Sequence, residues 1–167
     1  MKKILFAIML MAGAAPAAIA QNADSARQEL ADRAALKRLV DTFSNLADTK
    51  EADAQARLFT DSAVVVSCHG KEMTSSIKGR EELARRFRAF LDRFDTVYHM
   101  NGQQTVDIHG DTATGTAYCL VVLVGEENGR QTMTTHGVRY CDEYARQNGT
   151  WLISKRTSHF EWTNRQQ

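Results

Sequence analysis

The strongest constraint on the fold is a change of hydrophobic period near Thr96. Before it, apolar residues recur at three- and four-residue spacing, as on one face of a helix; after it they alternate, as on one face of a strand. Four β-rich segments follow, Val97 to Ile108, Thr112 to Val124, Gln131 to Arg146 and Trp151 to Phe160. They are separated by His109-Gly110-Asp111, Asn128-Gly129 and Asn148-Gly149. Asn-Gly tolerates the positive φ values of a tight type I′ turn, so these junctions predict hairpins. The second half of the chain is therefore expected to be an antiparallel meander of four long strands.

Upstream, Ser25-Ala26-Arg27-Gln28 has the form of a capping box opening a helix. Leu36, Leu39, Val40, Phe43, Leu46 and Ala47 carry its apolar stripe to an end near Asp48-Thr49-Lys50. A shorter helix is expected over Glu51 to Phe59, a strand at Ala63 to Val66, and a third helix between Gly79 and Asp92. Helices followed by strands define an α+β domain, here residues 25–163. One face of the sheet must be covered, and three amphipathic helices are the cover available. A curved sheet wrapped around helices encloses a cone whose open end is the natural ligand site.

Residues 1–20 read as a cleaved export signal. Lys2 and Lys3 precede the apolar run Ile4 to Ala15, and Ala18-Ile19-Ala20 offers a small-x-small cleavage pattern before Gln21. The protein is thus expected to be secreted or periplasmic, with no membrane association after cleavage. Removal leaves 147 residues without proline, with 19 basic and 20 acidic side chains. That balance argues against a nucleic-acid partner held by bulk charge. Cys68, Cys119 and Cys141 form no disulfide framework, although an oxidising compartment would permit one bond. There is no His-x-His, HExxH, Cys-x-x-Cys or glycine-rich phosphate loop, so neither a metal nor a nucleotide cofactor is expected.

Candidate site residues follow from alternation. Ala113, Gly115, Ala117, Cys119, Val121 and Leu123 share a face, and their small members leave room for a cavity. A turn at Asn128-Gly129 places Cys119 opposite Tyr140, Val138 or His136, all of one parity. His136, Val138, Tyr140 and Asp142 then share the inner side, and pairing across Asn148-Gly149 brings Thr157, His159 and Glu161 near it. Histidines, a tyrosine and carboxylates on an apolar face are acid–base equipment. A one-residue bulge would flip the assignment. Asp48 is either an N-cap for the second helix or a carboxylate at the cavity mouth, acting as base or orienting His99. An apolar cavity would raise the pKa of such a carboxylate and lower that of the histidine. Arg156, beside Lys155, reads as solvated, and His69 and His109 fall in expected turns.

The runs Leu39-Val40-Asp41-Thr42-Phe43-Ser44-Asn45-Leu46-Ala47-Asp48 and Leu58-Phe59-Thr60-Asp61-Ser62-Ala63-Val64 resemble the opening of SnoaL-like domains. So do Ile77-Lys78-Gly79-Arg80-Glu81-Glu82-Leu83, the segment around His99, Gly137-Val138-Arg139-Tyr140-Cys141-Asp142 and Gly149-Thr150-Trp151-Leu152-Ile153. These domains belong to the nuclear transport factor 2-like superfamily, with scytalone dehydratase, ketosteroid isomerase and bile-acid dehydratase relatives. The resemblance implies a cone-shaped α+β barrel, three N-terminal helices against a curved antiparallel sheet, forming a homodimer. In dehydratase-like members it places an acid–base pair at Asp48 and His99. A tyrosine often stands five residues before the aspartate; here that position is Phe43. Phe43, Tyr98, Cys119, His136, Tyr140 and His159 complete the expected pocket for a small hydrophobic molecule. Two functions are consistent with this pattern, a cofactor-independent lyase or isomerase and a non-catalytic ligand- or partner-binding module.

Overall fold

The structure, a computed structural model, describes residues 14–166, with side chains from residue 21. Residues 1–13 of the expected export signal lie outside the described residues, and of 14–20 only the backbone is described. Among the described residues no helix is long and apolar enough to cross a membrane. By internal contacts the chain divides into two units, residues 1–32 and 33–167. The sheet and every residue of the site described below belong to the second.

Helix α1 runs over Ala14–Asp48. The capping box at Ser25 therefore does not open a helix. Pro16 sits in the first turn of α1, where it is tolerated, and residues 17–24 hold four alanines with no proline or glycine, so local propensity carries the helix through Ser25. Leu36, Leu39, Val40, Phe43 and Ala47 are buried along the expected stripe. The helix stops in a Schellman arrangement: Lys50 adopts φ 58°, Glu51 N donates to the Leu46 carbonyl at 2.8 Å and Lys50 N to that of Ala47 at 3.0 Å. Lys50 Nζ also donates to the Phe94 carbonyl. These contacts fix where α1 ends, and hence where Asp48 sits.

Helix α2 covers Ala52–Ala56, shorter than expected, because Phe59 opens strand β1 (Phe59–His69) rather than closing the helix. Strand β2 (Glu72–Lys78) pairs with β1 around Gly70, φ 61°, a hairpin that the polar run Glu72 to Ser76 disguises. Helix α3 is Arg80–Leu91, and β3 (Thr96–His109), β4 (Thr112–Glu127), β5 (Arg130–Gln147) and β6 (Thr150–Gln166) follow. The sheet order is β2-β1-β6-β5-β4-β3. It is mixed and open, because β1 lies parallel to β6 while the other neighbours are antiparallel. Asn128 (φ 53°) with Gly129 (φ 75°), and Asn148 (φ 50°) with Gly149 (φ 77°), supply the positive φ pairs of the two Asn-Gly hairpins. The α+β class, the helix-covered sheet and the four-strand meander, β3 to β6, stand; β1, expected at Ala63 to Val66, and the unexpected β2 extend the sheet to six strands.

Between sheet and helices lies one core, including Phe43, Phe59, Leu83, Leu91, Tyr140 and Ile153. Phe43 contributes edge-on ring contacts with Phe59, Phe87 and Tyr140 at centroid distances of 5.8, 6.0 and 6.2 Å.

Candidate functional site

Asp48 leaves the last turn of α1, and His99 faces it from the inner side of β3, where it pairs with Val121. His99 Nδ1 donates to Asp48 Oδ1 at 2.7 Å. The spacing is held by Asn101, two residues further along β3. Its Nδ2 donates to Asp41 Oδ1 at 3.0 Å, and its Oδ1 accepts from Ser44 Oγ at 3.1 Å. The strand is thereby fastened to α1 one turn before Asp48. The His99 side chain is nearly buried, 8% exposed against 25% for Asp48. Burial pushes the His99 pKa down, the bond and charge of Asp48 push it up, and Arg156 pushes it down; the net shift is below the usual histidine value. Glu51, not Asp48, occupies the N-cap of α2, so the capping role for Asp48 does not arise.

His99 borders a cavity of about 250 Å³ walled largely by apolar groups, among them Phe43, Phe87, Val121, Val138 and Phe160. Its base is a buried ion pair. Arg156 Nε and Nη2 donate to Asp142 Oδ1 and Oδ2 at 2.8 and 2.6 Å, with both side chains 1% exposed. Tyr144 Oη donates to Asp142 Oδ2 at 2.9 Å. The guanidinium lies between the Phe43 and Tyr140 rings, 4.2 Å from each centroid. Burial alone would lower the Arg156 pKa, but Asp142 outweighs it and raises it. Nη1 of Arg156 has no hydrogen-bond partner, and the residue borders the cavity. Among the described residues the other buried side-chain nitrogen or oxygen without a partner is Gln55 Oε1, and Gln55 also borders the cavity.

Of the residues expected to shape the pocket, Phe43, His136 and Tyr140 border the cavity. The inner parity of β4 and β5 is as expected: Val121 pairs with His136, Cys119 with Val138, Ala117 with Tyr140 and Gly115 with Asp142. Cys119 faces inward but is packed beside Tyr140 and does not border the cavity; burial pushes its thiol up to about 11. Tyr98 does not point inward. Its neighbours Val97 and His99 take the inner positions of β3, so alternation sends Tyr98 outward, 52% exposed. His159 is also on the outer face, pairing with Arg139. A register shift between Glu143 and Tyr144 exchanges the parity of β6, so Arg156, Ser158 and Phe160 point inward while Thr157, His159 and Glu161 point outward. Glu161 accordingly pairs with Arg139 on that face.

The same bulge explains why Arg156, read as solvated, is buried. The sequence does carry a signal. Trp151 and Ile153 are apolar at odd positions and Phe160 at an even one, so the phase must change between them. His69, assigned to a turn, ends β1 and stacks on Phe160 at 4.5 Å, while His136 meets that ring edge-on at 5.2 Å. His136 is half-buried, shares a 2.8 Å hydrogen bond between Nδ1 and Thr163 Oγ1, and has its pKa lowered by burial and by His69. The three cysteines are free, and Cys141 faces outward beside Arg139.

Known proteins share this architecture. An uncharacterised protein of Mycobacterium tuberculosis is 28% identical over 131 residues, covering 77% of this chain and 84% of that protein. A crystal structure from Novosphingobium aromaticivorans, provisionally named a scytalone dehydratase, superposes with TM-score 0.71 at 17% identity, covering 83% of this chain and 90% of that one. Hexachlorocyclohexane dehydrochlorinase LinA-type3 of Novosphingobium barchaimii superposes with TM-score 0.68 at 19% identity, covering 83% and 92%. At those identities the structural matches speak for the fold. The model of the SnoaL-like domain matches residues 28–157, from within α1 to within β6, and the chain belongs to that family.

Proposed function

We propose that the protein is a cofactor-independent lyase, or an isomerase, that moves a proton on a small apolar molecule held in the cavity. The observation that carries this is the 2.7 Å Asp48–His99 pair on the wall of an apolar cavity. Because Asp48 accepts the Nδ1 proton, the neutral ring keeps its lone pair on Nε2, and the lowered pKa keeps that form populated near neutrality. His99 would act as general base towards a substrate C–H, with Asp48 as the group that orients it. The partnerless Nη1 of Arg156 would donate to the oxygen or leaving group on which negative charge develops. Phe43 and Tyr140 flank the guanidinium and so fix its direction. Two proteins of the same fold have names that denote removal of water and of hydrogen chloride, which supports a lyase ahead of an isomerase.

The reading includes export, supported by the pattern of residues 1–20, and self-association. Tyr98, Met100, Tyr118 and Trp162 are exposed on the outer face of the sheet, a surface suited to a second copy. The second functional reading is a binding module without a reaction, favoured by Phe43 standing where a hydroxyl would be expected.

The test is turnover of a panel of cyclic β-hydroxy ketones and β-chloro analogues, followed by absorbance of the conjugated product. Replacing His99 by asparagine should cost about 10²–10⁴-fold in rate, the usual contribution of a positioned general base. Equal turnover by wild type and the His99→Asn variant would refute the base; binding without turnover would favour the module.

A further inference from the structure

Gln55 lies on α2, is 2% exposed, and borders the cavity. Its Nε2 donates to the Phe43 carbonyl at 3.1 Å. That bond fixes which way the amide points, because the flipped rotamer would set Oε1 against the carbonyl oxygen. Oε1 is then left as a buried acceptor with no partner in the protein. The cavity wall includes the apolar Phe43, Ala47 and Leu91, and none of its donors bonds Oε1. A buried acceptor without a partner is costly, and such groups are rare in folded proteins. An aliphatic residue of similar size would fill the space without that cost. The polarity is explained if a ligand completes the bond.

We infer that Gln55 is a specificity-determining residue, and that the cavity takes an apolar molecule bearing a hydroxyl or N–H donor rather than a halogenated or unsubstituted one. This rests on the cavity being a ligand site, as proposed above, but not on catalysis there. The two partnerless atoms are of opposite kinds. Gln55 Oε1 requires a donor, whereas Arg156 Nη1 requires an acceptor. A hydrocarbon or halocarbon leaves Oε1 stranded on binding. A hydroxylated ligand satisfies it, and a second oxygen on the same molecule would meet Arg156. Selection of this type is strong, because the wrong ligand forfeits a buried bond rather than gaining a weak clash.

Isothermal titration of the protein with 1- and 2-naphthol, the matching chloronaphthalenes and naphthalene tests this. These bicyclic probes suit the volume of about 250 Å³. At least one naphthol should bind about tenfold or more tightly than the chloronaphthalene of the same substitution. The Gln55→Met variant, whose folding is checked by thermal melting, should lose that preference while still binding naphthalene. Equal affinity of naphthol and chloronaphthalene for the wild type overturns the inference and leaves the cavity as a ligand site. Preference retained by Gln55→Met also overturns it. Absence of binding by every probe refutes the ligand site itself and the inference with it.

Discussion

Replacing Asp142 by asparagine tests the structural role of the ion pair beneath the cavity. Asparagine keeps the shape of the side chain but removes the charge that two Arg156 nitrogens contact at 2.8 and 2.6 Å. Arg156 remains cationic and 1% exposed, with no other carboxylate among the described residues bonded to it. Losing one member of a buried pair costs about 3–5 kcal/mol. Two features pull the figure towards the lower end. The Phe43 and Tyr140 rings, each 4.2 Å from the guanidinium carbon, still stabilise the cation by about 2 kcal/mol when it is desolvated. Tyr144 also keeps a weak partner in Gln104 at 3.5 Å. A loss of about 3 kcal/mol is a large share of a total stability of about 5–15 kcal/mol. For a chain of this size it lowers the melting temperature by about 6–12 °C. Urea unfolding followed by circular dichroism measures it, and the double variant Asp142→Asn/Arg156→Met supplies the control. With both charges gone, most of the loss should be recovered, so the two single losses should exceed the double one by about 2 kcal/mol or more. A loss below about 1 kcal/mol, or simple additivity, would show that the pair is not the buried, coupled unit described here.

Other expectations concern protonation and access. The His99 pKa lies below the ordinary value, so the folded state binds fewer protons there than the unfolded state. Its neutral form therefore adds stability that is complete at high pH and is eroded as pH falls below about 6.5. Following the His99 ring signals by NMR across pH should place its midpoint below that of a model histidine; a midpoint above it would reverse the sign. In Asp48→Asn the upward push of the carboxylate is gone, so the midpoint should fall further and the rate with any eliminated substrate should drop about tenfold or more. An unchanged midpoint would mean that the 2.7 Å contact carries no charge coupling. Iodoacetamide at pH 8 should modify Cys68 and Cys141 ahead of Cys119, whose buried thiol titrates at about 11. Early labelling of Cys119 by peptide mass spectrometry would contradict its packing.

What the sequence made legible divides along a physical line. Periodicity and turn chemistry are local properties, and they placed α3, the two Asn-Gly hairpins and the inward parity of β4 and β5. Numbering across the Asn128-Gly129 turn left Tyr140, Val138 and His136 open as the partner of Cys119 but fixed their shared parity, and the observed partner is Val138. Three things were hidden. Strand β2 is polar and partly exposed, without the apolar alternation that marks a half-buried strand. The parallel partnership of β1 with β6 joins segments some ninety positions apart, and no local signal reports it. The bulge at Glu143/Tyr144 inserts one residue in β6, which exchanges the faces of the following side chains as far as Phe160, where a second shift at Gly137/Val138 restores the phase. That one residue removes His159 from the site and brings in Arg156. Gln55 was invisible for another reason: a glutamine in a short helix is ordinary, and only the surroundings of its Oε1 distinguish it.

The arrangement also explains how a histidine can be buried beside a carboxylate without becoming a permanent cation. Taken alone, the Asp48–His99 contact would favour the charged imidazolium, which has no lone pair to accept a proton. Two influences oppose it. Desolvation penalises the charge on a ring 8% exposed, and Arg156 adds a like charge from the floor of the cavity. Asp142 neutralises much of the Arg156 field while leaving its Nη1 free, so the same guanidinium helps to hold His99 neutral and offers a donor to the ligand. Acid–base poise and anion recognition are thus tied through one buried pair. It follows that the double variant lacking both charges should raise the His99 midpoint, since the remaining influence of Asp48 then meets less opposition. Should that midpoint stay where it is in the wild type, desolvation alone would account for the neutral ring, and Arg156 would act only on the ligand.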